Sequence, residues 1–228
     1  MKLFLFDIDG TLLDTHGLGR QAAEAALQTV FGQPISSAGL SFSGKTDTLI
    51  FRELLDRARE DGHAFEDFEA THTATLDAYQ EEMHARAATA RVEALPGAVA
   101  LVERLAQNEA ALGLVTGNLQ PMAYLKLQPL GLDGFFPVGG FGSDNEDRNR
   151  LPALAAQRAE DHHRRPFVGR EVVVIGDTPR DIECARAFGA TAVAVATGRF
   201  DRDALAPHKP DVLLDTLEET KALLGSLA

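Results

Sequence analysis

Apolar side chains come in two rhythms along this chain. Short uninterrupted runs at residues 3–8, 112–115, 172–175 and 191–196 each end at a turn or an acidic residue, as buried strands do, and 211–214 is a weaker fifth. A short sixth strand is placed at 137–141. Between the later runs, residues 121–130, 151–159 and 180–188 space their apolar positions as helices, and Gly189 stands where a helix-closing glycine belongs. This alternation predicts an α/β fold, a Rossmann-like parallel sheet with helices on both faces.

Residues 15–94 keep a different rhythm. They contain no strand-like run, are rich in Ala, Glu, Leu, Arg and Gln, and show helical spacing over 19–31, 46–61 and 65–88. Gly32-Gln33-Pro34 and Asp61-Gly62-His63 supply the breaks, and Pro96-Gly97 marks the return to the sheet. The expected organisation is an α/β core from 1–14 and 95–228, with a helical bundle at 15–94 inserted after the first strand. Phe31, Phe42, Phe51, Phe65 and Phe68 are read as the bundle's core or its contact with the sheet domain.

Composition removes several function classes. Of 228 residues, 45% are hydrophobic and 25% charged, which is ordinary for a globular chain, and no run approaches the roughly 18 to 20 apolar residues of a membrane span. Twenty-two basic against thirty-four acidic residues leave a net charge of -12, which opposes attraction to nucleic-acid phosphates or anionic lipid. Neither nucleic acid nor membrane is expected as a partner. The first apolar run turns acidic at Asp7, too early for a signal-peptide core, so a cytoplasmic location is expected. The single cysteine, Cys184, allows no intramolecular disulfide and is read as helix packing.

The candidate chemistry lies at the strand ends, where open parallel sheets bind their ligands. The first run ends Asp7-Ile8-Asp9-Gly10-Thr11, and alternation puts Asp7 and Asp9 on one side. The third ends Gly176-Asp177-Thr178-Pro179-Arg180-Asp181, bringing two more carboxylates to the same edge if the strands are neighbours. Two unit charges about 4 Å apart cost on the order of 4 kcal/mol at an effective dielectric near 20, so such a cluster implies a cation. With only hard oxygen donors at these ends, Mg²⁺ suits it better than zinc; for any one Asp alone, capping of the following helix is the competing reading. The second run ends Val115-Thr116-Gly117-Asn118, a hydroxyl and a flexible pair before a helix start that can cradle an anion.

These three segments, in this order and spacing, resemble the motifs of the haloacid dehalogenase-like hydrolase superfamily, and the inserted helices resemble the cap of its phosphoglycolate-phosphatase-like branch. The resemblance implies a Mg²⁺-dependent phosphatase acting on a small phosphorylated metabolite. Asp7 is then the nucleophile that forms an aspartyl-phosphate, and Asp9 the general acid and base. Asp7, the Asp9 carbonyl and Asp177 hold the metal, with Asp181 completing or orienting the set, and Thr116, Gly117 and Asn118 grip the phosphoryl oxygens. The family's lysine-proline pair before the third motif is absent here. Arg148 is the expected replacement, with Arg150 its neighbour and competitor.

Lys126, on the order of 7 Å up the helix after Pro121, is expected to face solvent. In the loop Phe42-Ser43-Gly44-Lys45-Thr46-Asp47, Lys45 is a candidate substrate contact, with Thr46 or Asp47 as an ordinary helix cap the alternative. His16 is read as a polar contact after the first motif, and His162 to Arg165 as a basic surface loop. Two further functions stay open: another reaction of the superfamily, such as phosphonate cleavage through an imine on Lys45 or phosphoryl-group mutation, and Mg²⁺ and phosphate binding without turnover.

Overall fold

Along the first strand, Leu3 and Leu5 pack into one apolar cluster and Phe4 and Phe6 into another, so both faces of the strand must be covered. The computed structural model, which describes residues 1–219, does this with a sheet between two helical layers. In chain order the strands are β1 (Leu3–Phe6), β2 (Leu13–Asp14), β3 (Glu93–Ala94), β4 (Ala111–Thr116), β5 (Val138–Phe141), β6 (Val172–Gly176), β7 (Thr191–Val195) and β8 (Val212–Leu214). The principal helices are α1 (Leu18–Phe31), α2 (Asp47–Glu60), α3 (Phe68–Ala87), α4 (Ala98–Gln107), α5 (Gln120–Leu127), α6 (Leu151–His163) and α7 (Pro179–Phe188).

Six strands form one parallel sheet in the order β5-β4-β1-β6-β7-β8. Helices α4 and α5 cover one face through Leu101, Leu105, Ala123 and Leu127. On the other face lie α6 and α7, through Ala155, Ala159, Ile182 and Cys184. The predicted α/β class and all six sheet strands are present. β1 lies between β4 and β6, so the connections run to opposite sides of it and open a crevice at its carboxyl end.

Helices α1 to α3 lie between β2 and β3 in the chain, and those two strands pair antiparallel, Leu13 opposite Ala94. Leu27, Phe51, Leu54, Tyr79 and Met83 form their apolar core, with Phe31, Phe42, Phe65 and Phe68 packed against it. Leu119 and Met122, beside the start of α5, complete the same cluster.

Three details depart from the sequence reading. The β2–β3 pair was not expected within an insertion read as all helix, because two residues are too short to show a period. The α4 helix, buried along Ala98, Leu101, Val102 and Leu105, is an element additional to those expected. His162 and His163 occupy the last turn of α6, with Arg164 closing it in a left-handed conformation, and not a loop. Gly32 and Gly189 close α1 and α7 as expected, both with positive φ. The expected core segment ends in residues 220–228, which lie outside the described residues. Among the described residues no helix is long and apolar enough to cross a membrane.

Candidate active site

The paired strands β1 and β6 put Asp7 and Asp177 side by side, Phe6 standing opposite Ile175 and the Asp7 amide donating to the Ile175 carbonyl at 2.9 Å. After Asp7 the chain turns at Gly10, whose φ of 81° is open to glycine but strained for other residues. Room matters there as well: a methyl at Gly10 would come within 2.5 Å of the Asp177 carboxylate, and one at Gly198 within 1.8 Å. Two bare backbones thus clamp Asp177, while the Thr11 hydroxyl donates to its Oδ1 at 3.2 Å.

Asp181 is held by its own helix. Its Oδ2 accepts from the Thr178 amide at 3.0 Å and the Thr178 hydroxyl at 2.6 Å, so the capping reading holds for one oxygen of this residue. The other oxygen pairs with Arg148. Asp7, Asp177 and Asp181, all buried, each offer an oxygen within 4.8 Å of the others.

Arg148 is the cation of this cluster. It is 5% exposed, lies 3.1 Å from Asp7, and its Nε has no hydrogen-bond partner among the described residues. Arg150 instead points to solvent, 3.9 Å from Asp147, so of the two arginines it is Arg148 that reaches Asp7. Burial opposes the guanidinium's charge, but Asp181 and Asp7 outweigh it and raise its pKa well above the usual value. One arginine does not balance three acids. Burial, against the pull of Arg148, pushes the Asp7 carboxyl up to about 6, and burial with the charges of Asp181 and Asp7 raises Asp177 well above the carboxylate range.

This imbalance tests whether a divalent metal fits. The donors are all carboxylate oxygens, they converge within 4.8 Å, and the charge left uncompensated by Arg148 is negative. A hard divalent cation suits the set. Asp7 and Asp177 are the available side-chain ligands; Asp181, with both oxygens engaged, orients Arg148 and the start of α7. Cys184 packs in α7 with its thiol 3.3 Å from the Asp181 carbonyl, and burial pushes its pKa up to about 12, as expected of a packing cysteine.

Asp9 turns away from the other acids. Its carboxylate faces the cavity and accepts from Lys126 Nζ at 2.7 and 2.9 Å and from the Asn118 amide at 2.8 Å. Lys126 is therefore not solvent-facing as expected: it is 5% exposed, and its third contact is Asn118 Oδ1 at 2.6 Å. The helix rise was sound, but a lysine stem leans toward the helix N-terminus and spans that rise. Although its enclosure in protein works against a charge on Asp9, the Lys126 ammonium and the hydrogen bonds from Lys126 and Asn118 prevail and hold its pKa below the usual value.

Asn118 also donates to the Thr116 hydroxyl oxygen at 2.8 Å, leaving that hydroxyl's proton free. Thr116, Gly117 and Asn118 line a cavity of about 400 Å³ with Asp7, Asp9, Asp177 and Arg148. The far wall comes from α1 to α3 and the loop before α2. That loop docks tightly: the Asp47 amide donates to the Gly117 carbonyl at 2.7 Å, and the Leu119 amide to Asp47 Oδ2 at 2.8 Å. A methyl on Gly117 would strike the Lys45 carbonyl at 2.0 Å. Thr46 caps α2, accepting from the Leu49 amide at 3.2 Å, and Lys45 lines the cavity with its ammonium paired to Glu53. His16 makes the expected polar contact, 2.9 Å from Glu93.

Asp47 and Tyr79 were not anticipated as cavity residues. Both are buried in its wall, and burial pushes the Asp47 carboxyl up to about 6 against the opposing charge of Lys126. No local signal marks Asp47 beyond a capping position, because its partner Leu119 is distant in sequence. For Lys126 a signal existed: Met122, Ala123, Lys126 and Leu127 are the buried positions of α5, a helical stripe with one cation in it.

The sequence matches the haloacid dehalogenase-like hydrolase family over residues 4–195. A phosphoglycolate phosphatase of Yersinia pestis is 29% identical over 231 residues, spanning 96% of this chain and 91% of that protein. Another, of Synechococcus elongatus, is 33% identical over 131 residues, 55% of this chain and 56% of that protein. Among solved structures, a hydrolase from Pseudomonas syringae superposes over all of both chains with a TM-score of 0.74 at 24% identity, a likeness of fold. Sheet order, acidic strand ends and a family match over most of the sequence agree: the chain belongs to the haloacid dehalogenase-like hydrolases.

Proposed function

We propose that this protein is a Mg²⁺-dependent phosphomonoesterase acting on a small phosphorylated metabolite through an aspartyl-phosphate on Asp7. The observation that carries the reading is the division of labour among the acids. Asp7 sits with Asp177 and Arg148, where negative charge needs a metal, while Asp9, two residues on, is held apart by Lys126 and Asn118. The names of the curated relatives, phosphoglycolate phosphatases, support it.

In this mechanism Asp7 attacks phosphorus in line with the departing alkoxide. Asp9 serves the leaving oxygen and then the hydrolytic water. Held ionised by Lys126, it suits the second task; for the first, a proton enters with the phosphate monoester, whose second ionisation lies near pH 6. The Thr116 hydroxyl, the Gly117–Asn118 backbone and Arg148 receive the phosphoryl oxygens. Mg²⁺, held by Asp7, Asp177 and the Asp9 carbonyl, supplies charge neutralisation for phosphate beside carboxylates. Residues 15–94 form a cap that closes over the cavity and excludes water, with the β2–β3 pair as its connection to the core.

Imine chemistry on Lys45 is disfavoured, since its amine is engaged by Glu53. Binding without turnover has no use for Asp9 and its dedicated lysine.

The test is phosphate release from p-nitrophenyl phosphate and a panel of metabolite phosphates with Mg²⁺, after chelation, and after its return. Turnover should depend on the metal and vanish in Asp7→Asn. Full activity in that variant overturns the assignment of the nucleophile.

A further inference from the structure

The cavity wall built by α2 and α3 carries two hydrogen-bonding atoms that the protein itself does not use. The Tyr79 hydroxyl is at the wall of the cavity in a residue only 2% exposed, and it has no hydrogen-bond partner among the described residues. Asp47 spends Oδ2 on the Leu119 amide and leaves its other oxygen free. A phenol hydroxyl that opens onto a cavity without a protein partner leaves its hydrogen-bonding capacity to water or a ligand.

Their position is where the non-phosphate part of a substrate would lie. A methyl at Gly19 would come within 3.5 Å of the Tyr79 hydroxyl and 3.9 Å of Lys126 Nζ, so the bare glycine keeps open the space between them. Lys126 in turn touches Asp9, the residue assigned to the leaving oxygen. The next carbons of the leaving group therefore meet Tyr79 and Asp47.

The charges of that wall select among leaving groups. Lys126 is taken by Asp9 and Lys45 by Glu53. Arg20 donates to the Ser37 and Leu40 carbonyls, at 3.1 and 2.9 Å, and lies over the Phe42 ring. On this wall the lysines are paired to carboxylates; Arg199, a further cation lining the cavity, comes from the loop after β7 on the core side, and the buried Asp47 carboxylate beside Tyr79 repels a second anion.

We propose, building on the phosphatase reading above, that this subsite accepts a neutral leaving group bearing hydroxyls, so that the preferred substrates are phosphate esters of polyols or sugars and not of hydroxy acids. One substrate hydroxyl donates to the free oxygen of Asp47, and another exchanges a hydrogen bond with Tyr79. A site built to hydrogen-bond a hydroxyl discriminates strongly against analogues that leave its polar groups unpaired. This departs from the substrate named for the phosphoglycolate phosphatase relatives, whose leaving group is a carboxylate-bearing alcohol.

Two measurements test it. In the first, kcat/KM is compared for glycerol 3-phosphate and 2-phosphoglycolate with Mg²⁺ present. The wild-type ratio should favour glycerol 3-phosphate by about tenfold or more, and Asp47→Asn and Tyr79→Phe should each reduce that ratio about tenfold. A wild-type preference for 2-phosphoglycolate, or a ratio unmoved by both variants, overturns the inference while leaving the phosphatase reading intact. In the second, calorimetry on the Asp7→Asn protein measures binding of the same two compounds. Tighter glycerol 3-phosphate supports the subsite, and the reverse order refutes it. If no ester is turned over by wild type, p-nitrophenyl phosphate included, but this binding order holds, the phosphatase reading falls and the subsite stands.

Discussion

Replacing Asp47 with asparagine should make the protein more stable at neutral pH, although it removes a charge that lies near a lysine. The reasoning starts from burial. Asp47 is 9% exposed, and burial is the largest influence on its carboxyl, followed by the opposing pull of Lys126; the outcome is a pKa raised from 3.8 to about 6. Because the folded value lies above the unfolded one, ionisation is harder in the native state. Stability is fully present below about pH 3.8 and is lost as pH rises through 6. The difference between the two values corresponds to about 3 kcal/mol at pH 7.5. Asparagine keeps an oxygen for the Leu119 amide and presents its NH₂ to the cavity. Urea unfolding of both proteins at pH 4.5 and 7.5 measures the effect: the variant should gain up to about 3 kcal/mol at pH 7.5 and much less at pH 4.5. A variant less stable than wild type at pH 7.5, or a difference that does not change with pH, would refute the reasoning.

Three further perturbations probe the rest of the site. Arg148→Met leaves the acids it pairs with buried and uncompensated; it should cost about 3–5 kcal/mol in chelator, lowering the melting temperature by roughly 6–20 °C, and Arg148→Lys should recover part of that loss. Lys126→Met keeps the stem and removes the cation from Asp9, so kcat should fall by roughly one to two orders of magnitude while the melting temperature stays within a few degrees of wild type. Gly117→Ala forces a methyl against the Lys45 carbonyl and must displace the loop before α2. KM should rise about tenfold or more, and limited proteolysis should cut near residues 42–47 faster than in wild type.

How far the sequence carried the interpretation depended on the distance over which each residue acts. Strands such as Val172–Gly176 are continuous apolar runs, and their acidic ends fall next to one another once parallel pairing is assumed, so the Asp7, Asp177 and Asp181 cluster was visible beforehand. Arg148 could be singled out by its place before the third motif, though only the fold separates it from Arg150. Lys126 was misplaced because counting helical rise follows the backbone and ignores a flexible stem that bends back toward the strand end. Asp47 and Tyr79 were invisible as cavity residues because their roles arise where α2 and α3 meet the loop after β4, contacts that no periodicity encodes. The Glu93–Ala94 strand is too brief for any pattern.

The central place of β1 has a consequence for how the protein is made. Its hydrogen-bonding partners on either side, β4 and β6, leave the ribosome long after it does, so the segment Leu3–Phe6 stays unpaired at both edges until Ala111 and then Val172 have been synthesised. An apolar strand with two open edges is prone to pairing with other nascent chains. The helices that follow it in the chain can form meanwhile from local contacts, and α4 can cover the Phe4 and Phe6 face, but no helix pairs its edges, and the acids of the crevice are brought together only after Asp177 and Asp181 have been made.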